Sequence, residues 1–445
     1  MKLTNQKLKY FVKPFKILLI FLILNLSFGY LHIADIFVIS VLSRRIRDFD
    51  FSYIRGSKEA KVEWKYFGLT PAMFQRILDA LIESGICSVS GRKGVIFIGG
   101  TSAGGKSPAT DFITAMLRGY GINVKYISLD NYYKDREKMP TSPDGNFDFD
   151  SVEALDIDKF QKHLHILLTT SEEITPPHFD MKTGKSSDGK DPIQLLEGEV
   201  LIVEGIHALT PRMTNKERDG DIIPPEVVRL MFFVNAERDT RLPRRMVRDS
   251  EVRGYIPEAT IWNWDKIVVP GEDNHIIPGK IEALKLAEER GQKIIEIDTT
   301  LPLDKISDIQ PLGEVFRESL IQAGERMGKL IPLLEKEDFY SLISQVQGSE
   351  LSKSLVAFLK IKSHQDRIRD LLRSLDSESE KGFIKIIGEG TPDQILEFLS
   401  ETLLRYSTNT SFREEMNLLR LDLLGAMRYV ARRIDELRNK YFSIP

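Results

Sequence analysis

Gly100-Thr101-Ser102-Ala103-Gly104-Gly105-Lys106-Ser107 is the stretch from which the rest of the chain is read. An apolar run, Val95 to Ile98, precedes it, and Phe112, Ile113, Met116 and Leu117 follow at helical spacing. A strand therefore leads into the loop and a helix leaves it. In that setting glycine-rich backbone can turn successive N–H groups around phosphate oxygens. A lysine supplies a point charge to the terminal phosphates, and a serine hydroxyl can ligate Mg²⁺. Gly100 to Ser107 are the candidate ATP-binding residues, Lys106 is also a candidate catalytic residue, and Ser107 a candidate metal ligand. One position is discordant. Pro108 stands where a backbone N–H commonly reaches the α-phosphate, and proline has none to give. Its ring is welcome in a first helical turn, so the expectation is an intact fold with weakened nucleotide binding.

Outward from the loop, apolar runs at 124–129, 200–203, 230–234 and 294–297 alternate with helical patterns. Strands separated by helices predict an α/β fold with a parallel sheet covered on both faces. Two of these runs end in acids, Asp130 within Leu129-Asp130-Asn131-Tyr132-Tyr133-Lys134-Asp135 and Glu204 within Leu201-Ile202-Val203-Glu204-Gly205. The C-terminal ends of such strands are where open α/β sheets bind ligands. A carboxylate there can take a hydroxyl proton or help orient a metal ion. Arg241, Arg244, Arg245 and Arg248 share a helix stripe, and Arg253 follows. Beside a phosphate loop they read as a lid that neutralises transferring charge and excludes water.

The chain has 445 residues, 42% hydrophobic and 29% charged, which fits two or three globular domains. Lys plus Arg at 62 against Asp plus Glu at 65 leaves a net charge of -3, so no nucleic-acid partner is expected. The single Cys87 excludes an intramolecular disulfide or a multi-cysteine metal site and suits a reducing compartment, the cytoplasm. Residues 1–44 form a hydrophobic N-terminal segment: 17–34 carry no charge and follow Lys2, Lys7, Lys9, Lys13 and Lys16. A membrane anchor, a signal cleaved near Ser27-Phe28-Gly29 and a buried extension all stay open. Arg44, Arg45 and Arg47 behind the run leave its orientation unset. Residues 45–93 read as a small helical module, with Thr70-Pro71 opening a helix, Phe74, Ile77, Leu78, Leu81 and Ile82 on its face, and Gly85 closing it. Residues 94–310 form the domain around the loop. Residues 311–445 form a helical C-terminal domain, with a short strand expected at Phe383 to Ile387. Phe412, Met416, Leu419, Leu423, Met427, Val430, Ile434 and Leu437 mark a long amphipathic helix, a packing face or a homo-oligomer face.

From about residue 94 to 300 the chain resembles the uridine kinase and phosphoribulokinase family of P-loop kinases. The segments that carry the likeness are the loop itself, Leu129 to Asp135, Asn146-Phe147-Asp148, Pro177-His178-Phe179-Asp180, Val200 to Gly205, and Asp239-Thr240-Arg241 through Arg253-Gly254. The resemblance implies Asp130 as the base for the acceptor hydroxyl and Tyr133, Asp148, Phe179 and Asp180 near the acceptor. It implies Ser107 and Glu204 on magnesium, and Arg245, Arg248 and Arg253 at the phosphates, the first two in catalysis and Arg253 in ATP binding. Uridine kinases generally carry a histidine soon after the Phe-Asp pair, where this chain has Met181-Lys182-Thr183-Gly184, and a further lid arginine where it has Tyr255. Asn263-Trp264, Gly271-Glu272 and Ile276-Ile277-Pro278 resemble a bacterial uridine kinase-like branch. The resulting expectation is a cytoplasmic, ATP- and Mg²⁺-dependent kinase acting on a hydroxyl of a small metabolite, a nucleoside first of all. The alternative is a nucleotide-responsive binding protein with weak or no turnover.

Overall fold

The computed structural model describes residues 71–442 apart from 90, 143–144, 182, 217–219 and 302–311. The expectations for 17–34 and for a Thr70 cap lie outside the described residues. Among those described, no helix is long and apolar enough to cross a membrane.

Five strands build one sheet: β1 (Gly94–Gly100), β2 (Val124–Ser128), β3 (Val200–Glu204), β4 (Val228–Asn235) and β5 (Ile294–Asp298). Their order is β2-β3-β1-β4-β5, and every pair is parallel. β1 and β3 are buried throughout, which is why they read as unbroken apolar runs rather than alternating ones. Val95 and Phe97 face one layer, with α3 (Ile157–Thr169) and α6 (Ile277–Glu289). Ile96 and Ile98 face the other, with α1 (Pro71–Glu83) and α2 (Lys106–Gly119). α1 thus lies on the sheet itself, through Ile77 and Leu81, and Gly85 at φ 71° turns the chain away from it.

After β4 the chain enters α4 (Arg238–Arg248), passes a π-turn at Asp249–Arg253, and forms α5 (Pro257–Asn263). Two more π-turns, Trp264–Val268 and Glu272–Ile276, link α5 to α6. The C-terminal helices are α7 (Leu312–Lys336), α8 (Phe339–Val346), α9 (Leu351–Leu359), α10 (Lys362–Leu375), α11 (Ser377–Glu389), α12 (Pro392–Arg405) and α13 (Thr410–Phe442). In α13 all eight apolar residues picked out by spacing are buried. The strand expected at Phe383 to Ile387 is instead the middle of α11. Asp376 caps that helix through the Ser379 N–H (2.7 Å), Phe383 and Ile387 lie buried one turn apart, and Ile384 points to solvent.

The helical domain does not have a core of its own. Leu242, Met246 and Val247 of α4, Ile261 of α5, and Trp264 and Val268 belong to one continuous apolar cluster with α7 to α13. Polar contacts fasten the same seam. Glu258, fully buried, receives both guanidinium arms of Arg326 (2.6 and 2.9 Å) and the Ser354 hydroxyl (3.0 Å). Asp265 accepts from Tyr429 and Arg433, and Lys440 pairs with Asp239. Trp262 stands edge-on to Phe358 and Tyr429 at 6.3 and 5.9 Å.

Candidate functional site

Strand register sets the site. Glu204 at the end of β3 lies level with Ser128 of β2 on one side and Ile98 of β1 on the other. The phosphate loop and Asp130, two residues past Ser128, therefore emerge at the same sheet edge, where the sheet order reverses around β1. The loop closes tightly: Gly100 has φ 145°, and a Cβ there would sit 1.9 Å from the Val234 carbonyl oxygen. Ala103 takes the left-handed conformation (φ 57°) and Gly105 begins α2. Pro108 sits buried in the first turn of α2, where a helix has no intrahelical acceptor for an N–H and proline fits.

A cleft of about 980 Å³ opens from this edge and runs between the two domains. Ser102, Ala103, Gly105, Lys106 and Ser107 line it from the loop, Asp130, Tyr133 and Glu204 from the strand ends, and Arg245, Arg248 and Arg253 from the arginine segment. The other residues singled out from the sequence lie just behind. Thr101 is buried and donates to Asn235 Oδ1 (2.6 Å), and Gly100 and Gly104 form the floor. Phe179 is buried against Tyr133, ring centroids 5.4 Å apart, and Asp180 follows it in a short antiparallel hairpin with 185–187. The Asp148 carboxylate meets His275 Nε2 at 2.7 Å.

Within the cleft each group is oriented. Lys106 Nζ donates to the Thr101 carbonyl (3.0 Å), which curls the ammonium over the loop. The Tyr126 hydroxyl donates to Glu204 Oε2 (2.7 Å), fixing one carboxylate oxygen. Tyr133 donates to the Phe149 carbonyl (3.0 Å), and burial raises its hydroxyl well above the usual tyrosine range, so it acts as a neutral polar group.

The arginine stripe divides into two sets with different partners. Arg241 turns inward, forms a two-armed pair with Glu272 (2.6 and 3.0 Å), donates to the Ser102 carbonyl (3.3 Å) and lies 5.3 Å over Trp264. Arg244 donates to Thr299, whose hydroxyl donates to the Gly104 carbonyl (2.8 Å). These two arginines hold the phosphate loop's backbone. Arg245, Arg248 and Arg253 face the cleft around a single buried carboxylate, Asp249. Burial alone would push the Asp249 carboxyl up, but the three guanidinium charges hold it below the ordinary value. Arg245 also donates to the Ser102 hydroxyl (2.6 Å).

Asp249 was not singled out from the sequence, although an acid flanked by arginines at -4, -1 and +4 was a usable signal. Asp150 was missed as well. It lines the cleft within reach of the Arg245 and Lys106 charges, and burial nevertheless pushes its carboxyl up to about 6. Gly271 explains how it fits: a Cβ at 271 would come 2.5 Å from the Asp150 Cβ. The segment Gly271 to His275 thus makes room for Asp150, pairs Arg241 through Glu272 and pairs Asp148 through His275. π-turns of this kind recur at functional sites.

Among the described residues no group of three or more His, Cys, Asp or Glu could hold a metal by itself. Among the oxygen donors that line the cleft are the Ser107 hydroxyl, next to Lys106 in sequence, and the Glu204 carboxylate. One hydroxyl and one carboxylate fit Mg²⁺, which keeps several waters and shares substrate phosphates instead of occupying a full protein cage.

Comparison with known proteins finds relatives by sequence. The sequence model of the Phosphoribulokinase / Uridine kinase family matches residues 95–286. Uridine kinase of Bacillus pumilus is 31% identical over 215 residues, 48% of this chain and 94% of the relative. Uridine kinase of Bacillus cytotoxicus is 31% identical over 205 residues, 46% of this chain and 89% of the relative. A solved structure described as a possible uridine kinase from Bacillus stearothermophilus is 16% identical and covers 50% of this chain and 98% of its own, with a TM-score of 0.33.

Proposed function

This chain belongs to the phosphoribulokinase and uridine kinase family, and from that membership we propose that it transfers the γ-phosphoryl group of MgATP to a hydroxyl of a nucleoside-sized metabolite. It is a kinase with a hydroxyl acceptor. The observation that carries the finer reading is the convergence of Lys106, Asp130, Glu204 and Arg245 on one cleft from four separate stretches of chain.

In this reading the loop N–H groups and Lys106 hold the β and γ phosphates. Asp130 accepts the acceptor hydroxyl's proton as that oxygen bonds to the γ-phosphorus, and the bond to the β-phosphate oxygen breaks to release ADP. Arg245, Arg248 and Arg253 meet the charge that spreads over the γ oxygens, held ready by Asp249. Tyr133 and Asp148 shape the acceptor side, Phe179 and Asp180 support it from behind, and Ser107 with Glu204 hold Mg²⁺. When bound, the metal would supply positive charge to offset that of the phosphates. Residues 94–310 are the catalytic domain, and use of ATP puts it in the cytoplasm.

The test is ADP release by the purified full chain with ATP and Mg²⁺ across nucleosides and other small hydroxyl acceptors. The expected result is acceptor-dependent turnover, lost by orders of magnitude in Lys106→Ala and reduced roughly 10²- to 10⁴-fold in Asp130→Asn with MgATP affinity retained. Lys106→Ala keeping more than about a tenth of turnover would sink the loop assignment. Nucleotide binding without turnover on any acceptor would favour the binding-protein alternative.

A further inference from the structure

The far wall of the cleft comes from α9 and α10, which lie outside the stretch matched by the family. The helical domain brings Lys353, Lys360 and Lys362 to the lining, and no carboxylate. Across the cleft stands Arg136, in the turn that follows Asp130 to Asp135. Its side chain runs across Gly184, close enough that a Cβ there would lie 2.6 Å from Arg136 Nε.

The three lysines differ in their partners. Lys362 pairs with Asp366 and lies 4.7 Å over the Phe147 ring, which ties the start of α10 to the acceptor loop. Lys353 and Lys360 form no ion pair among the described residues, and neither does Arg136. Arg136 and Lys360 line the same cleft, and partial burial and then the Arg136 charge hold the Lys360 ammonium below its usual value. Burial likewise lowers Arg136, with Tyr255 and Asp180 acting against it. Asp180 offsets only the Arg136 end, the helical wall brings no carboxylate, and an anion placed between the like charges removes their repulsion and gains charge-assisted hydrogen bonds.

We infer that Arg136, Lys353 and Lys360 form a subsite for an anionic group carried by the acceptor, a phosphate monoester or a carboxylate, so that the helical domain completes the acceptor site. The inference rests on the kinase reading above and narrows its substrate class. The acceptor's hydroxyl end points to Asp130 and its charged end to the helical wall. Arg136 offers a flat two-armed fork suited to either oxyanion, and the lysines offer point charges that tolerate different positions. A neutral nucleoside leaves all three cations unpaired, which makes the same wall a device against uncharged acceptors. The absence of the usual histidine after Phe179-Asp180, where Met181 lines the cleft instead, fits an acceptor recognised at a different end.

The experiment uses the full chain saturated with a non-hydrolysable ATP analogue and Mg²⁺. Calorimetric titration compares ribose with ribose 5-phosphate, glucose with glucose 6-phosphate, and glucose with gluconate. At least one anionic member should bind roughly tenfold or more tightly than its neutral partner, the scale of one added charge-assisted hydrogen bond. Lys360→Gln, a change just past the end of α9 and outside the apolar core, and Arg136→Gln should each erode that preference. The preference should also shrink as salt rises. The phosphate and carboxylate arms separate the two oxyanions. Neutral and anionic members binding alike, no member binding at all, or a preference unchanged in both variants would each overturn the subsite. Anionic members that bind yet release no ADP when ATP replaces the analogue would leave the subsite standing and defeat the kinase reading instead.

Discussion

Two residues carry consequences that their neighbours do not. Pro108 removes one N–H from the cradle, so Pro108→Thr should tighten ADP binding by about 1.5 to 3 kcal/mol, the usual worth of a hydrogen bond to a charged group. Isothermal titration with ADP and Mg²⁺ measures it, and equal affinities would mean that another donor already reaches the α-phosphate. Asp150 acts through pH. Its carboxyl is raised from 3.8 to about 6 by burial, so the folded protein holds a proton that the unfolded chain has already lost. Stability is therefore lost as pH rises from about 4 through about 6, and the penalty is fully present above that window. Asp150→Asn cannot ionise, so its melting temperature should match the parent near pH 4 and exceed it at pH 7. Parallel curves across that range would refute the assignment. Lys106, Asp130 and Glu204 could be found from sequence because Glu204 ends an apolar strand, Asp130 lies just past one, and Lys106 sits in a recognisable loop after a third. Asp150 could not, because its raised value comes from burial that outweighs the Arg245 and Lys106 charges, and only the fold, with Gly271 packed against it, supplies that burial.

The arginine segment works as an element through Asp249, which holds Arg245, Arg248 and Arg253 together at one buried carboxylate. Asp249→Asn keeps the shape and leaves three cations crowded, so the chain should lose on the order of 3 to 5 kcal/mol, the scale for breaking a buried pair. Urea unfolding gives that number, and a loss under about 0.5 kcal/mol, the size of an ordinary surface change, would show the cluster to be solvated instead. The strands were legible because β1 and β3 are apolar on both faces. The stretch 383–387 misled because a short apolar run suits a buried strand or a helix face equally well, and the Asp376 cap decides for the helix. The arginine stripe was legible as a stripe, but its division into loop-holding Arg241 and Arg244 and cleft-facing Arg245 and Arg248 depends on Glu272 and Thr299, which are distant in sequence.

At the scale of the whole molecule, the helical domain shares a core with α4 and α5, so the two domains should unfold together. Glu258→Gln leaves Arg326 inside that seam without its carboxylate, at a cost on the order of 3 kcal/mol or more. Scanning calorimetry should show one transition in the parent and an earlier or divided one in the variant, while an unchanged single transition would mean that the apolar cluster alone joins the halves. Lys353, Lys360 and Lys362 were not singled out from sequence because nothing in their own stretch points to a ligand; only the fold brings them to the cleft. The seam also has an optical property. The chain has three tryptophans: Trp64, outside the described residues, and Trp262 and Trp264, which flank the point where phosphate loop, arginine segment and helical domain meet. Trp262 lines the cleft, and Trp264 lies beneath the guanidinium that holds the Ser102 carbonyl. A ligand entering the cleft should change the polarity around Trp262, so native ultraviolet emission should report occupancy with no dye attached.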